Sequence, residues 1–216
     1  VLSRCSNEPE KLKSNYSYAF KICILFLLPA TAGLMAISLP LVKVGFQRGN
    51  FEWLDTVSTA SSLFFLMLTL LPSGIIRITV PLYYSVKDSL RPAIFSLIGL
   101  VVNIAICLLT VHKIGIIGIS FAVSAASMVN ATLLLLYFSK KHSRLRPVEL
   151  KFTLKMILIS VLTFVGAYSI VSLRDWSLKG EFFIDAIYLI LAVCCGFALF
   201  ALSTILLKIR KDIQKV

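Results

Sequence analysis

Six stretches of this 216-residue chain, at about 20–42, 56–84, 93–111, 115–138, 152–173 and 183–207, are apolar over at least the length of a membrane crossing. A helix needs about 20 such residues to span the hydrocarbon of a bilayer. Six segments of this kind, joined by short links, have no water-soluble core large enough to hide them. They are satisfied as antiparallel helices in lipid, where each backbone N–H finds its partner inside its own segment. The expected fold is therefore all-α, a polytopic membrane helix bundle of about six transmembrane helices. Composition agrees. Hydrophobic residues make up 58% of the chain and charged residues 15%, whereas a soluble domain runs at about 45–50% and 25%. The second stretch is long and carries Pro72 and Pro81, so it is expected to kink or to leave the bilayer in its last turns.

The formal net charge of +12 would suit a nucleic-acid partner if it formed a patch. It does not: the Lys and Arg residues fall in the gaps between apolar blocks, where cytoplasmic loops meet anionic lipid. No nucleic-acid partner is expected. The N-terminal segment, the 85–92 loop, the 139–151 linker and the C-terminal segment alternate to one side and hold sixteen of the 22 cations. The other side holds Lys43, Arg48, Lys113, Arg174 and Lys179, and Arg77 is left inside a span. That bias places both ends of the segment in the cytoplasm. The run SKKHSRLRPVELK at 139–151 is the strongest boundary. It divides residues 1–138, with four spans, from 152–216, with a final pair and a tail. It reads as a topology anchor or as a contact for anionic headgroups. The chain opens at Val1 with a polar stretch that is no signal peptide, so it is expected to be a fragment whose earlier helices are missing.

Catalytic chemistry finds little to work with. All ten carboxylates lie in loops or at span ends, and His112 and His142 sit in loops on opposite sides. There is no paired-carboxylate or Ser/His/Asp arrangement, and no phosphate-binding glycine loop. Of the five cysteines, Cys194 and Cys195 point about 100° apart on a helix and cannot chelate as a Cys-x-x-Cys pair would. No cofactor and no metal are implied.

Polar residues inside the spans are more informative, because lipid exposure makes them costly. On a continuous second helix, Thr59, Ser62, Thr69, Ser73, Arg77 and Tyr84 fall within an arc of about 80°. Phe64, Leu68, Leu71 and Ile75 lie opposite. The third span repeats this with Ser96, Gly99, Asn103, Cys107 and Thr110. The fourth has a small-residue face of Ser120, Ser124, Ser127 and Ala131, with Asn130 to one side. Such faces suit either close helix packing or a water-filled cavity. The candidate cavity residues are Arg77, Ser73, Thr69, Ser62, Thr59, Asn103 and Asn130. Arg77 either serves a cavity or snorkels to the interface.

Three runs carry a family resemblance. LPATAGLMAISLPLVKVGFQRGNF, with Pro29, Gly33, Pro40, Phe46, Arg48, Gly49 and Phe51, resembles a signature of the MurJ (MviN) lipid II flippases. VPLYYSVKDSLRPAIFSLIGLVVNIAICLL is similar to that family's aromatic pair, Asp and basic-Pro step through Tyr83, Tyr84, Asp88, Arg91, Pro92 and Asn103. The family more often has a Thr between the basic residue and the proline. GIIGISFAVSAASMVNATLLL resembles its Gly-x-x-Gly helix through Gly115, Gly118, Ser124 and Asn130.

The resemblance covers about residues 1–145 and implies the ninth to twelfth of fourteen helices, with the last two spans as an extra pair. It implies the C-terminal part of a two-lobed transporter of the multidrug/oligosaccharidyl-lipid/polysaccharide superfamily. Such a protein flips undecaprenyl-pyrophosphate-linked peptidoglycan precursor across the bacterial inner membrane by alternating access, and so serves peptidoglycan biosynthesis. The implied partners are that substrate, membrane lipids and the missing N-terminal lobe. A flippase for O-antigen or another lipid-linked oligosaccharide, and a drug/cation antiporter of the same superfamily, remain alternatives. A membrane-embedded enzyme would need acidic or histidine pairs near a span end.

Overall fold

The computed structural model describes residues 9–141, 150–177, 181–207 and 209. Among them are eight helices and no strand: α1 (Pro9–Ala36), α2 (Ser38–Phe46), α3 (Trp53–Met67), α4 (Leu70–Ser85), α5 (Leu90–Ile114), α6 (Ile116–Lys141), α7 (Leu150–Ser172) and α8 (Phe182–Leu206). Six helical segments are long and apolar enough to cross a membrane: Ser14–Ala36, Trp53–Ser85, Leu90–Ile114, Ile116–Lys141, Lys151–Ser172 and Phe182–Leu206. The expected number of spans holds.

Two boundaries differ from the sequence reading, for one reason. The first span was expected to run to 42, but α1 stops at Ala36 and a separate short helix begins at Ser38. In the second span Pro81 stays inside α4, and the interruption comes one turn ahead of Pro72. The helix breaks at Leu68 and Thr69, between α3 and α4. Each break precedes a proline, Pro40 or Pro72, that sits at the third residue of the helix that follows. A proline there has no N–H to donate four residues back, and its ring crowds that carbonyl. The first turn of a helix has unpartnered N–H groups anyway, so the proline costs least at that place. The chain bridges the second break with tight i→i−3 bonds, Leu68 N–H to the Phe65 carbonyl at 3.1 Å and Thr69 N–H to the Leu66 carbonyl at 3.0 Å. Such steps wind about 20° further per residue than an α-helix. The polar stripe of α4 is therefore offset from that of α3 by about 40°.

The bundle is built on α1 and α6. Helix α6 packs along α5, α3 and α4, while α1 packs on α4 and α7, and α7 on α8. Helix α2 joins α3 to α8. One core gathers Phe20, Leu82, Tyr83, Leu134, Phe138 and Met156 from α1, α4, α6 and α7. A second, at the opposite end, gathers Ala36, Ala167, Val171, Trp176 and Ala192. The boundary expected at 139–151 lies mostly outside the described residues. The final helix pair is not detached from the rest, since α7 lies along α1.

A single residue, Gly115, turns α5 back onto α6, with φ 57° and ψ −134°. An L side chain rarely adopts such a backbone. Gly118, one turn on, lies so close to α5 that an added Cβ would sit 2.9 Å from the Thr110 carbonyl carbon. Gly118→Ala is therefore expected to force the α5–α6 hairpin apart and to cost about 1–3 kcal/mol. Thermal unfolding of the detergent-solubilised protein would measure it; an unchanged Tm would contradict the tight contact.

Candidate functional site

None of the seven polar residues expected to line a cavity borders either of the two apolar grooves of this bundle. Ser62 is buried on α3, and its hydroxyl has no hydrogen-bond partner. Nearby, Ser124 of α6 donates to the Phe65 carbonyl at 2.5 Å, so small residues bring α3 and α6 together. Thr59 and Ser73 are half-buried, and half-buried Thr69 spends its hydroxyl on the Leu66 carbonyl. Asn130 sits in the α5–α6 contact, with its Cβ 3.3 Å from where a Gly99 Cβ would stand and its Oδ1 buried without a partner. Asn103 lies half-buried one turn along α5 from Gly99. Arg77 is different. It and Tyr84, two turns apart on one ridge, are the only exposed residues of α4. The rest of α4 is covered or partly covered, so one bare ridge of a central helix carries a guanidinium about two turns inside its span.

Two apolar grooves flank this helix arrangement without receiving the stripe. One, about 360 Å³, runs between α1, α7 and α8 along Pro29, Gly33, Thr163, Ala167, Gly196 and Phe197. Small residues on all three helices keep it open. The other, about 570 Å³, lies between α6 and α7 over α1 and the α3–α4 turn. It is lined by Phe64, Leu68, Leu71 and Ile75, the face of α3–α4 opposite the polar stripe.

The motif residues take structural posts. Pro29 is buried within α1, and Gly33 faces Thr163 of α7. Gly49 turns the α2–α3 link with φ 61°, beside the exposed Phe46. The link closes with Asp55 accepting the Glu52 N–H at 3.0 Å, a cap on α3. In the aromatic pair, Tyr83 is buried and donates to the Leu134 carbonyl at 2.8 Å, while Tyr84 is exposed. Asp88 accepts from Arg91 at 2.5 Å and lies 3.6 Å from Lys141. The Arg91 guanidinium in turn stacks over Tyr137, 4.2 Å from its centroid. Pro92 is buried at the start of α5. The Asp and basic-Pro step thus ties the α4–α5 turn to the end of α6.

One charged cluster escaped the sequence reading. Lys43 of α2 meets Asp185 of α8 at 2.7 Å, with both side chains almost fully buried. Arg174, in the α7–α8 link, approaches the other Asp185 oxygen at 3.3 Å and pairs with Glu181. The Glu181 carboxylate, and behind it Asp185, push the Arg174 pKa further above its ordinary value. Lys43 also lies over the Trp176 ring at 5.6 Å, and the Trp176 indole donates to the Val171 carbonyl at 2.7 Å. Asp185 had read as one more carboxylate at a span end. The available signal was its place in the first turn of α8, where an acid favours the helix N-terminus. Nothing in the spacing linked it to Lys43, 142 positions away.

Six bilayer-length helices, breaks placed at prolines and a lone guanidinium on a bare central ridge define a multi-pass helical membrane protein. Its relatives narrow this class. The family model described as lipid II flippase MurJ matches residues 1–193, and the chain belongs to that family. It is 29% identical over 170 residues to a probable lipid II flippase MurJ of Bdellovibrio bacteriovorus, covering 78% of this chain and 31% of that protein. It is 31% identical over 133 residues to the probable lipid II flippase MurJ of Rickettsia prowazekii, covering 62% of this chain and 26% of that one. A solved lipid II flippase MurJ in an inward closed conformation superposes with a TM-score of 0.72 at 26% identity, over 94% of this chain and 42% of that chain. The chain thus spans about a third or less of the length of these curated relatives.

The buried cluster makes a directional prediction. Asp185→Leu leaves both Lys43 and Arg174 without their shared carboxylate and is expected to cost about 3–5 kcal/mol. Lys43→Met leaves Asp185 still paired to Arg174 and should cost less, and the double variant should recover part of the loss. Thermal unfolding of the four proteins in detergent tests the order. Equal losses for the two single variants would contradict it.

Proposed function

We propose that this chain is the C-terminal part of a lipid II flippase of the bacterial inner membrane, a transporter and not a catalyst, with both ends of the segment in the cytoplasm. The observation that carries the reading is the bare ridge of α4, with Arg77 and Tyr84 exposed on an otherwise covered helix. A pyrophosphate-linked headgroup cannot enter hydrocarbon unaided, because burying its charge costs many kcal/mol. A guanidinium on the wall of a shared cavity lowers that cost, and its planar fork suits phosphate oxygens. Ser73, one turn before it on α4, offers a hydroxyl to the sugar or peptide. The rest of the family's cavity, including the N-terminal lobe, would face this ridge.

The prenyl tail has its own candidate place in the groove between α1, α7 and α8. That groove is apolar and open toward lipid, and the small residues Gly33, Ala167 and Gly196 leave room for a chain along its floor. In this division of labour, residues 1–138 supply cavity helices, the 139–151 linker anchors topology, and 152–216 forms the tail groove together with α1. The headgroup changes sides while the tail stays in hydrocarbon, which is what alternating access requires.

The Arg77→Ala variant of the full-length protein is expected to insert normally and to lower lipid II translocation in vesicles about tenfold or more, as loss of a charge-assisted contact predicts. Arg77→Lys should retain part of the activity. Full complementation of a flippase-depleted strain by Arg77→Ala would mean that the side chain merely snorkels.

A further inference from the structure

The larger groove, between α6 and α7, has no part in the flipping scheme. The two helices scarcely touch, and about 570 Å³ lies between them above α1 and the α3–α4 turn. Its walls are hydrocarbon. Three hydroxyls line it, and each is already spent on its own helix. Thr31 donates to the Leu27 carbonyl at 2.6 Å, Thr132 to Met128 at 2.7 Å and Ser160 to Met156 at 2.8 Å. A sugar or a water entering the slot would lose its hydrogen bonds and find few replacements. A hydrocarbon chain loses none and gains dispersion contacts along both walls. Met128, Ile157 and Val161 on its rim are 45%, 46% and 52% exposed, so the slot opens sideways toward the bilayer.

One end of the slot is cationic. Helices α6 and α7 run antiparallel, so the end of α6 and the start of α7 lie on the same side. Lys140 is five residues beyond Leu135 on one wall, and Lys151 is six residues before Ile157 on the other. At the α-helical rise these are about 7.5 and 9 Å along the axes. Lys140, Lys141 and Lys151 are exposed. The carboxylate described at this end is Asp88, which is shared between Arg91 at 2.5 Å and Lys141 at 3.6 Å. Among the described residues, Lys140 and Lys151 are exposed cations on the two helices that flank this end of the slot.

We propose that the slot binds an acyl chain of an anionic phospholipid whose headgroup phosphate is held by Lys140 and Lys151. The chain would lie against Leu68, Leu71 and Pro72 and so buttress the turn at which α3 gives way to α4. The site is separate from the tail groove of the flippase reading, and its occupancy can be measured whichever substrate is flipped.

Thermal unfolding of the full-length protein in an uncharged detergent is followed while dioleoyl phosphatidylglycerol, dioleoyl phosphatidylcholine or glycerol 3-phosphate is titrated in. Phosphatidylglycerol is expected to raise Tm saturably, phosphatidylcholine much less, and the chainless glycerol phosphate not at all. Lys140→Gln/Lys151→Gln, at two exposed positions, should need about tenfold more phosphatidylglycerol for the same rise. Val161→Phe and Thr132→Phe, also at exposed positions, should abolish the saturable rise with every lysine intact. Equal rises with the two phospholipids would overturn the proposal, as would a rise with glycerol phosphate or an unchanged titration of the lysine variant. So would a saturable rise retained in whichever filled variant unfolds like the unaltered protein when no lipid is added.

Discussion

A backbone N–H or carbonyl facing hydrocarbon has no water to turn to, and the whole architecture follows from that constraint. Each apolar stretch must be helical wherever lipid can reach it, and every interruption must be placed where its orphaned groups are fewest. The chain meets this by setting Pro40 and Pro72 in the first turns of α2 and α4. It bridges the second gap with tight bonds at Leu68 and Thr69. Beyond the second break one ridge of α4 is bare, while the opposite face of α3 and α4 borders an apolar slot.

With the backbone satisfied inside each helix, helix association rests on close fit and on ion pairs at the membrane ends. Lipid is as apolar as leucine, so burying leucine against leucine contributes little drive. Small residues supply the close fit instead. Ser120 and Ser124 let α6 reach α3, and Gly118 lets it reach α5. At the ends, charges tie the pieces together. The Asp88, Arg91 and Lys141 group joins the α4–α5 turn to α6. The Lys43, Asp185 and Arg174 group joins α2 to the last helix pair. Buried ion pairs of this kind add little net stability over apolar substitutes, but they punish a wrong partner heavily. They therefore specify how α8 docks more than how tightly it docks.

Much of this was readable in the order of residues alone. The number of spans needed only run lengths, and the family resemblance needed only the succession of Pro29, Gly49, Tyr83, Asp88, Pro92 and Gly115 along the chain. The motif placed Gly115 and Gly118 on a helix with small residues, and the tight hairpin they make became visible only in the fold. The polar stripe was legible only in part. Counting 100° per residue assumes an unbroken helix, and the two tight steps before Pro72 shift that count by about 40° between Ser62 and Ser73. Asn130 read as a cavity residue, yet its surroundings are a helix contact against Gly99, which no periodicity of α6 alone could reveal.

The sequence by itself determined the solvent, the secondary structure and the number of crossings, because these depend on local runs of residues and on backbone groups that find partners within four positions. Only the tertiary structure decided which faces are bare and which are covered. Arg77 differs from Ser62 because neighbouring helices cover one and leave the other open, and Asp185 acquires its meaning from a lysine 142 positions earlier. Contacts between distant helices in lipid depend on shape and on single ion pairs, and neither leaves a periodic trace in the chain that makes them.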